Sequence, residues 1–201
     1  MPRVFVVADL HLDLWRHAER TPLRRNIFGD IDLLILAGDL SNDAEVEWPK
    51  TFDKIGASIS ADRVYVFPGN HDYYYGLLDR DDLLKGTADA IGVRFAQTEE
   101  ILLGSRRFLC CTLWTDMFST AEMPDRAHAE AEEMMNDYHR IRISSESKRR
   151  ARASDTVAIH HEHRKSEVRQ LWVGCERSRG GSVTHFQCVN HRWMLFSADF
   201  V

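Results

Sequence analysis

Six side chains able to hold a divalent cation or move a proton fall in three short blocks: Asp9-Leu10-His11, Gly38-Asp39-Leu40 and Gly69-Asn70-His71-Asp72. Carboxylate oxygens, an amide oxygen and imidazole nitrogens together suit cations of intermediate hardness such as Mn, Fe and Zn. Asp9 and His11, two residues apart at a strand end, can point to the same side and share one ion. Asp39 can use its two oxygens to bridge two ions about 3.5–4 Å apart. Asn70 offers a neutral carbonyl oxygen. Gly38 and Gly69 each precede one of these residues, where a tight turn or a close backbone approach favours a residue without Cβ. Taken singly, each block is ordinary: Asp-x-His is common, and Gly-Asp or Gly-Asn after a strand is most often a turn. Their order and spacing set them apart.

The elements that must position these residues are legible as three apolar, β-branched runs. Residues Arg3–Ala8, Asp32–Ala37 and Arg63–Phe67 read as strands, and each runs into one block, the third through Pro68. Thirty residues separate Asp9 from Asp39 and thirty-one separate Asp39 from Asn70, each enough for one helical crossover. Right-handed crossovers bring all three strand ends to one edge, and ligands of open α/β sheets bind outside the carboxyl ends of the strands. The six residues are therefore expected to converge. Continuous rather than alternating apolar strands imply burial on both faces, so the fold class is α/β with helices against a parallel or mixed sheet.

Further elements follow from periodicity. Residues 13–28 read as helix or loop. Residues 43–60 read as helix, with Pro49 as an early-turn residue or a break. Asp79–Gly92 reads as an amphipathic helix presenting Leu83, Leu84, Ala88 and Ile91, with Gly92 closing it. Val93–Ala96, Ile101–Leu103 and Arg107–Trp114 read as strands, and residues 125–139 as helix with Met134 and Met135 in the core. Tyr73-Tyr74-Tyr75 can line a substrate or pack a loop, and His128 and His139 belong to a solvated face.

Composition bounds the function classes. The chain has 201 residues, 26 Lys+Arg against 31 Asp+Glu, and 44% apolar residues, which exclude disorder and fit one domain with a core or at most two small ones. No apolar run approaches the roughly 18 residues of a membrane helix, and Met1–Ala8 is too short for a secretory leader. A cytoplasmic protein without membrane contact is expected. Four cysteines without CxxC spacing are no disulfide framework; Cys110 and Cys111 read as buried thiols. The charge is uneven: residues 1–144 carry 16 basic and 25 acidic side chains, residues 145–201 carry 10 and 6. Lys148-Arg149-Arg150-Ala151-Arg152 is the most basic stretch, read as a solvated face in a chain whose net charge of −5 lacks the positive field of a nucleic-acid binder. Nucleic acid enters only as a possible substrate.

The three blocks resemble the first signature blocks of the calcineurin-like metallophosphoesterases, and Thr112-Leu-Trp-Thr-Asp116 resembles bacterial members of that family. The resemblance covers about residues 3–164. It implies a four-layer αββα sandwich of mixed sheets flanked by helices, with a di-metal centre at the sheet edge. It further implies that Asp9 and His11 hold one metal, that Asp39 bridges the pair and that Asn70 binds the second. His71 would contact the phosphate and stabilise or protonate the leaving oxygen, with Asp72 tuning or orienting it. A metal-activated hydroxide would attack phosphorus in line. Two divalent ions (Mn, Fe or Zn) are thus expected, and a phosphoester substrate of unspecified identity; the oligomeric state is left open.

The second half departs from the pattern. The family carries later histidines in a paired run and a Gly-His-x-His block, and no Gly-His-x-His occurs here. The available histidines are His160, His161, His163, His185 and His191. Val157, His161, Arg164, Val168, Leu171 and Trp172 fall at helical spacing with Asp155 as N-cap, a reading favoured over a strand delivering paired His. The chain is accordingly divided into a metallophosphoesterase portion, 1–164, and an atypical tail, 165–201, and is read as incomplete or altered at the C-terminal end, for example by a frame change. With second-half ligands missing, one ion or none is the alternative to two.

Three functional expectations follow. The first is a metal-dependent hydrolase of phosphomonoesters or phosphodiesters. The second is a truncated or degenerate member with the fold and little or no catalysis. The third is a non-enzymatic α/β module binding phosphate or a nucleotide, disfavoured because neither G-x-x-x-x-G-K-[ST] nor G-x-G-x-x-G is present.

Overall fold

The computed structural model describes residues 2–15, 31–56, 59–104, 106–114, 124–159, 161–162, 182–189 and 192–199, the last two segments as backbone. The first four strands, β1 (Val4–Val7), β2 (Leu33–Ala37), β3 (Val64–Phe67) and β4 (Arg94–Phe95), form a parallel sheet in that order. Val7 lies opposite Leu36 and Ala37 opposite Phe67, so the first three strands end within a residue of one another. That register puts all three blocks on one edge.

The central strand shows why the sheet is buried twice over. All five β2 residues are buried, and they alternate. Leu34 and Leu36 join a core built with the helices, while Leu33, Ile35 and Ala37 join a second core with Phe67, Ile101, Phe108 and Cys110. The second core is the seam between two sheets. Strands β5 (Glu99–Leu103) and β6 (Arg106–Cys110) are antiparallel, β7 (Ser182–Val189) runs parallel to β6, and β8 (Arg192–Asp199) closes the order antiparallel to β7. The tail expected to begin at residue 165 thus supplies two strands of the second sheet.

Helices α1 (Ala44–Gly56), α2 (Asp81–Ile91), α3 (Pro124–Met134) and α4 (Asp137–Arg140), and a further helix over 153–159, all contribute to the first core. Among the described residues the layers are therefore helices, parallel sheet, mixed sheet. α1 buries Ala44, Trp48, Phe52 and Ile55 at helical spacing and runs through Pro49. Pro49 and Glu45 are both exposed, so water can satisfy the Glu45 carbonyl that Pro49 leaves without its N–H donor. α2 ends as read: Gly92, at φ 88°, donates its N–H to Ala88 and Asp89 carbonyls.

Several expectations are corrected. The helix read over 125–139 is two, broken at Met135-Asn136, which turns Asp137 and Tyr138 inward. Met134, expected in the core, is 77% exposed, whereas Met135 packs partly against the core. The strand read over Arg107–Trp114 stops at Cys110, and β4 is only two residues long. A 3-10 turn over Leu12–Leu14 takes in the start of the 13–28 segment, of which 16–28 lie outside the described residues.

Helical backbone over 153–159 and 161–162 favours the helix reading of that segment over a strand of paired His. Asp155 is not its N-cap. It lies three residues after Arg152 and reaches back to the Arg152 N–H at 2.8 Å, the acidic half of a capping box. Asp155 also takes both guanidinium nitrogens of Arg149, which holds its carboxyl below the usual range. The basic stretch is thus partly ion-paired at the surface. No described helix is long and apolar enough to cross a membrane.

Candidate metal centre

The loops leaving β1, β2 and β3 are laced to one another. Asp9 N–H donates to the Gly38 carbonyl, His11 N–H to Asp39 and Leu12 N–H to Leu40, at 3.1, 3.0 and 2.9 Å. Asp9, His11 and Asp39 all take left-handed backbone, with φ of 54°, 43° and 53°. Non-glycine residues adopt that conformation uncommonly, and such strain gathers at functional sites. The two glycines allow the closest approach. A β-carbon on Gly38 would lie 2.8 Å from Gly69 Cα, and one on Gly69 would lie 2.3 Å from Asp39 Oδ1. His71 N–H donates to that same Oδ1 at 2.9 Å.

The sequence reading brought six residues to this edge. The structure places ligand atoms of three of them, His11, Asp39 and His71, within 4.8 Å of one another. Asp39 is 1% exposed. Burial first, then the carboxylates of Asp72 and Asp9, push its pKa well above the usual range, against the pull of the His71 N–H. The Nδ1 of His11 is buried with no hydrogen-bond partner among the described residues. A lone pair buried without a donor beside crowded carboxylates is the donor set of a cation site, and these residues fit a divalent ion.

Asn70 carries a second constraint. Its Nδ2 donates at 2.9 Å to Asp137 Oδ1, which also accepts the Tyr74 hydroxyl at 2.7 Å. Burial, with Asp137 beside it, pushes the Tyr74 hydroxyl up, so that hydroxyl stays a donor. The Tyr74 ring in turn stacks on His71, with centroids 4.2 Å apart and planes at 28°.

The orientation of His71 is fixed from another direction. Its Nδ1 lies 2.9 Å from Asn42 Oδ1, and Asn42 Nδ2 donates to Asp13 Oδ2 at 2.7 Å. An ionised carboxylate only accepts, so Asp13 must face the Asn42 NH₂ and His71 must face the Asn42 carbonyl. Nδ1 then carries a proton, and Nε2 is the position at which the ring can take up or release one.

The resemblance gives Asp72 the part of tuning or orienting His71, and in the structure its carboxylate also ties the loops together. Its carboxylate accepts N–H groups from Leu40, Ser41, Gly69 and Trp48 Nε1, at 3.3, 3.2, 2.9 and 2.9 Å. Complete burial outweighs these four donors and pushes its pKa up to about 6. Asp72 pins the β2 and β3 loops to each other and to α1, while Asn42 sets the ring. Asn42, Asp13 and Asp137 were missed by the sequence reading. Asn42 had a signal, three residues after Asp39; Asp137 lay inside a stretch read as ordinary helix.

The remaining singled-out residues separate. Tyr73 and Tyr74 are buried, and only Tyr75, 66% exposed, stands as a wall, with the Arg140 guanidinium 5.7 Å from its ring. Thr112 is buried and bonds Gln97 and Pro68 behind the loops; Thr115 and Asp116 lie outside the described residues. His161 is helical and half-buried, His185 lies on β7, and His160, His163 and His191 fall outside the described residues.

Residues 2–192 match the family model of the calcineurin-like phosphoesterases. The chain belongs to that family. The match runs well past residue 164, where the motif resemblance stopped, and takes in β7. A similar solved structure is a phosphopantetheinyl hydrolase from Mycobacterium tuberculosis, with a TM-score of 0.57 and 19% identity. The alignment covers 89% of this chain and 64% of that one, so this calcineurin-like chain spans under two thirds of that relative's length. No curated protein matches it.

Proposed function

We propose that the chain is a metal-dependent phosphoesterase that cleaves a phosphomonoester or phosphodiester at the edge of the parallel sheet. The observation that carries this reading is the gathering of one ligand atom each from His11, Asp39 and His71 within 4.8 Å of one another, with a buried His11 Nδ1 that has no hydrogen-bond partner among the described residues. Asp9, His11, Asp39 and Asn70 would hold divalent ions. When bound, such ions supply Lewis acidity and lower the pKa of water. Asp39, whose Oδ1 accepts the His71 N–H, would be one of the carboxylate ligands. His71, with its Nδ1 proton on Asn42, contacts the phosphoryl group and moves a proton at Nε2. Asp72 keeps the loops in place. Buried thiols at Cys110 and Cys111, in no disulfide with each other, go with a cytoplasmic setting. The likeness to the phosphopantetheinyl hydrolase is one of fold and selects no substrate.

A second reading, one ion and little turnover, rests on the origin of the cluster: His11, Asp39 and His71 all come from the three strand-end blocks of the first half. Metal content and hydrolysis of p-nitrophenyl phosphate and its bis-ester, with Mn²⁺ and with chelator, separate the two. Two ions and chelator-sensitive turnover support the phosphoesterase. One ion with background turnover supports the second reading, and turnover unaffected by chelator sinks the metal mechanism.

A further inference from the structure

We propose that Asp137 is a positioning residue that holds the Asn70 amide in the orientation a metal ligand needs; this rests on the phosphoesterase reading above. Asp137 lies on α4, 67 residues from Asn70 in the chain, and is 4% exposed. No strand-end block contains it. Its Oδ1 accepts the Asn70 Nδ2 at 2.9 Å and the Tyr74 hydroxyl at 2.7 Å.

An asparagine side chain has two ends of similar shape and opposite chemistry, and only the carbonyl oxygen can bind a cation. A carboxylate is the one side-chain partner that accepts at both oxygens when ionised. Facing Asp137, Asn70 can present only its NH₂, so its Oδ1 is the atom turned away from Asp137. A flipped amide would set carbonyl against carboxylate and leave the buried Asp137 Oδ1 with the Tyr74 hydroxyl but without the Asn70 donor. The same logic operates between Asp13 and Asn42, where a carboxylate fixes an amide that then faces His71. Asp137 reaches the site by a second path as well, because the hydroxyl it anchors belongs to the ring stacked on His71.

The test is calorimetric titration of Mn²⁺ into the metal-free full chain. Asp137→Asn keeps size and shape but can donate or accept, so either Asn70 orientation is satisfied. The expected result is selective: the weaker ion loses affinity by about 10–100-fold, as for other residues that hold a ligand in place, while the tighter ion shifts by no more than about twofold. Tyr74→Phe removes the other bond to Asp137 and leaves Asn70 anchored, so it lowers the melting temperature and retains both ions. Equal affinities for both ions in wild type and Asp137→Asn overturn the proposal and leave the phosphoesterase reading standing. A wild-type chain that binds no second ion overturns both. Where Asp137→Asn does not fold, the wild-type Asn70 side-chain amide carries the test by ¹⁵N NMR. Side-chain NH₂ protons protected from exchange with solvent support the anchor, and exchange as fast as that of an exposed asparagine overturns it.

Discussion

Gly69 and Asp39 touch so closely that no other residue fits between them: a β-carbon on Gly69 would lie 2.3 Å from Asp39 Oδ1 and 2.6 Å from the Asp39 nitrogen. Gly69→Ala must therefore displace backbone as well as the carboxylate. Overpacking of this kind costs about 1–3 kcal/mol. The expected outcome is a lower unfolding midpoint together with weakened Mn²⁺ binding, read by denaturant titration and calorimetry. A variant with wild-type affinity would show that the two loops do not meet as described.

Trp48→Phe removes a hydrogen bond together with part of a fully buried ring. Asp72 Oδ1 loses the Nε1–H donor at 2.9 Å. A hydrogen bond to a charged, buried group contributes about 1.5–3 kcal/mol, so stability should fall by that order in denaturant unfolding. An unchanged midpoint would mean that the three backbone donors suffice for Asp72.

Asn42→Ala removes the acceptor at His71 Nδ1 and the partner of Asp13. Loss of the residue that orients a working imidazole is expected to lower kcat by about 10–100-fold, with a smaller change in KM. Asp13→Asn should move kcat in the same direction, since it no longer dictates which end of Asn42 faces the ring. Turnover indifferent to both substitutions would remove His71 orientation from the mechanism.

The Arg149–Asp155 pair gives a pH-dependent prediction away from the site. Its two hydrogen bonds, at 2.7 and 2.8 Å, lower the Asp155 pKa from its ordinary 3.8. A depressed carboxylate pKa adds stability above the unfolded value, and that stability is lost as pH falls through the folded value. Wild type should therefore unfold at higher denaturant than Arg149→Ala near neutrality, and the gap should close in acid. A gap that widens on acidification would contradict the pairing.

The strands and their blocks were readable because buried parallel strands leave continuous apolar runs, and the chemistry follows each run directly. The Leu33–Ala37 run needed only its register with Val4–Val7 and Val64–Phe67 to carry Asp9, Asp39 and Asn70 to one edge. The supporting residues were harder. Asp137 and Asn70 meet across 67 residues through a helix break at Met135-Asn136, and no local pattern marks that contact. The Asp72 bonds were equally unmarked: a buried carboxylate collects nearby N–H donors, and these belong to the loops and Trp48. N-cap and third-position acids look alike in sequence, and for Asp155 the direction of its bond to Arg152 tells them apart.

The most direct measurement sets Mn²⁺ occupancy beside turnover of bis-p-nitrophenyl phosphate at the same ion concentrations, in wild type and in Asp39→Asn. The account predicts that occupancy and turnover rise together in wild type and that Asp39→Asn loses both. Turnover before any ion is bound, or full occupancy and turnover in Asp39→Asn, would contradict it.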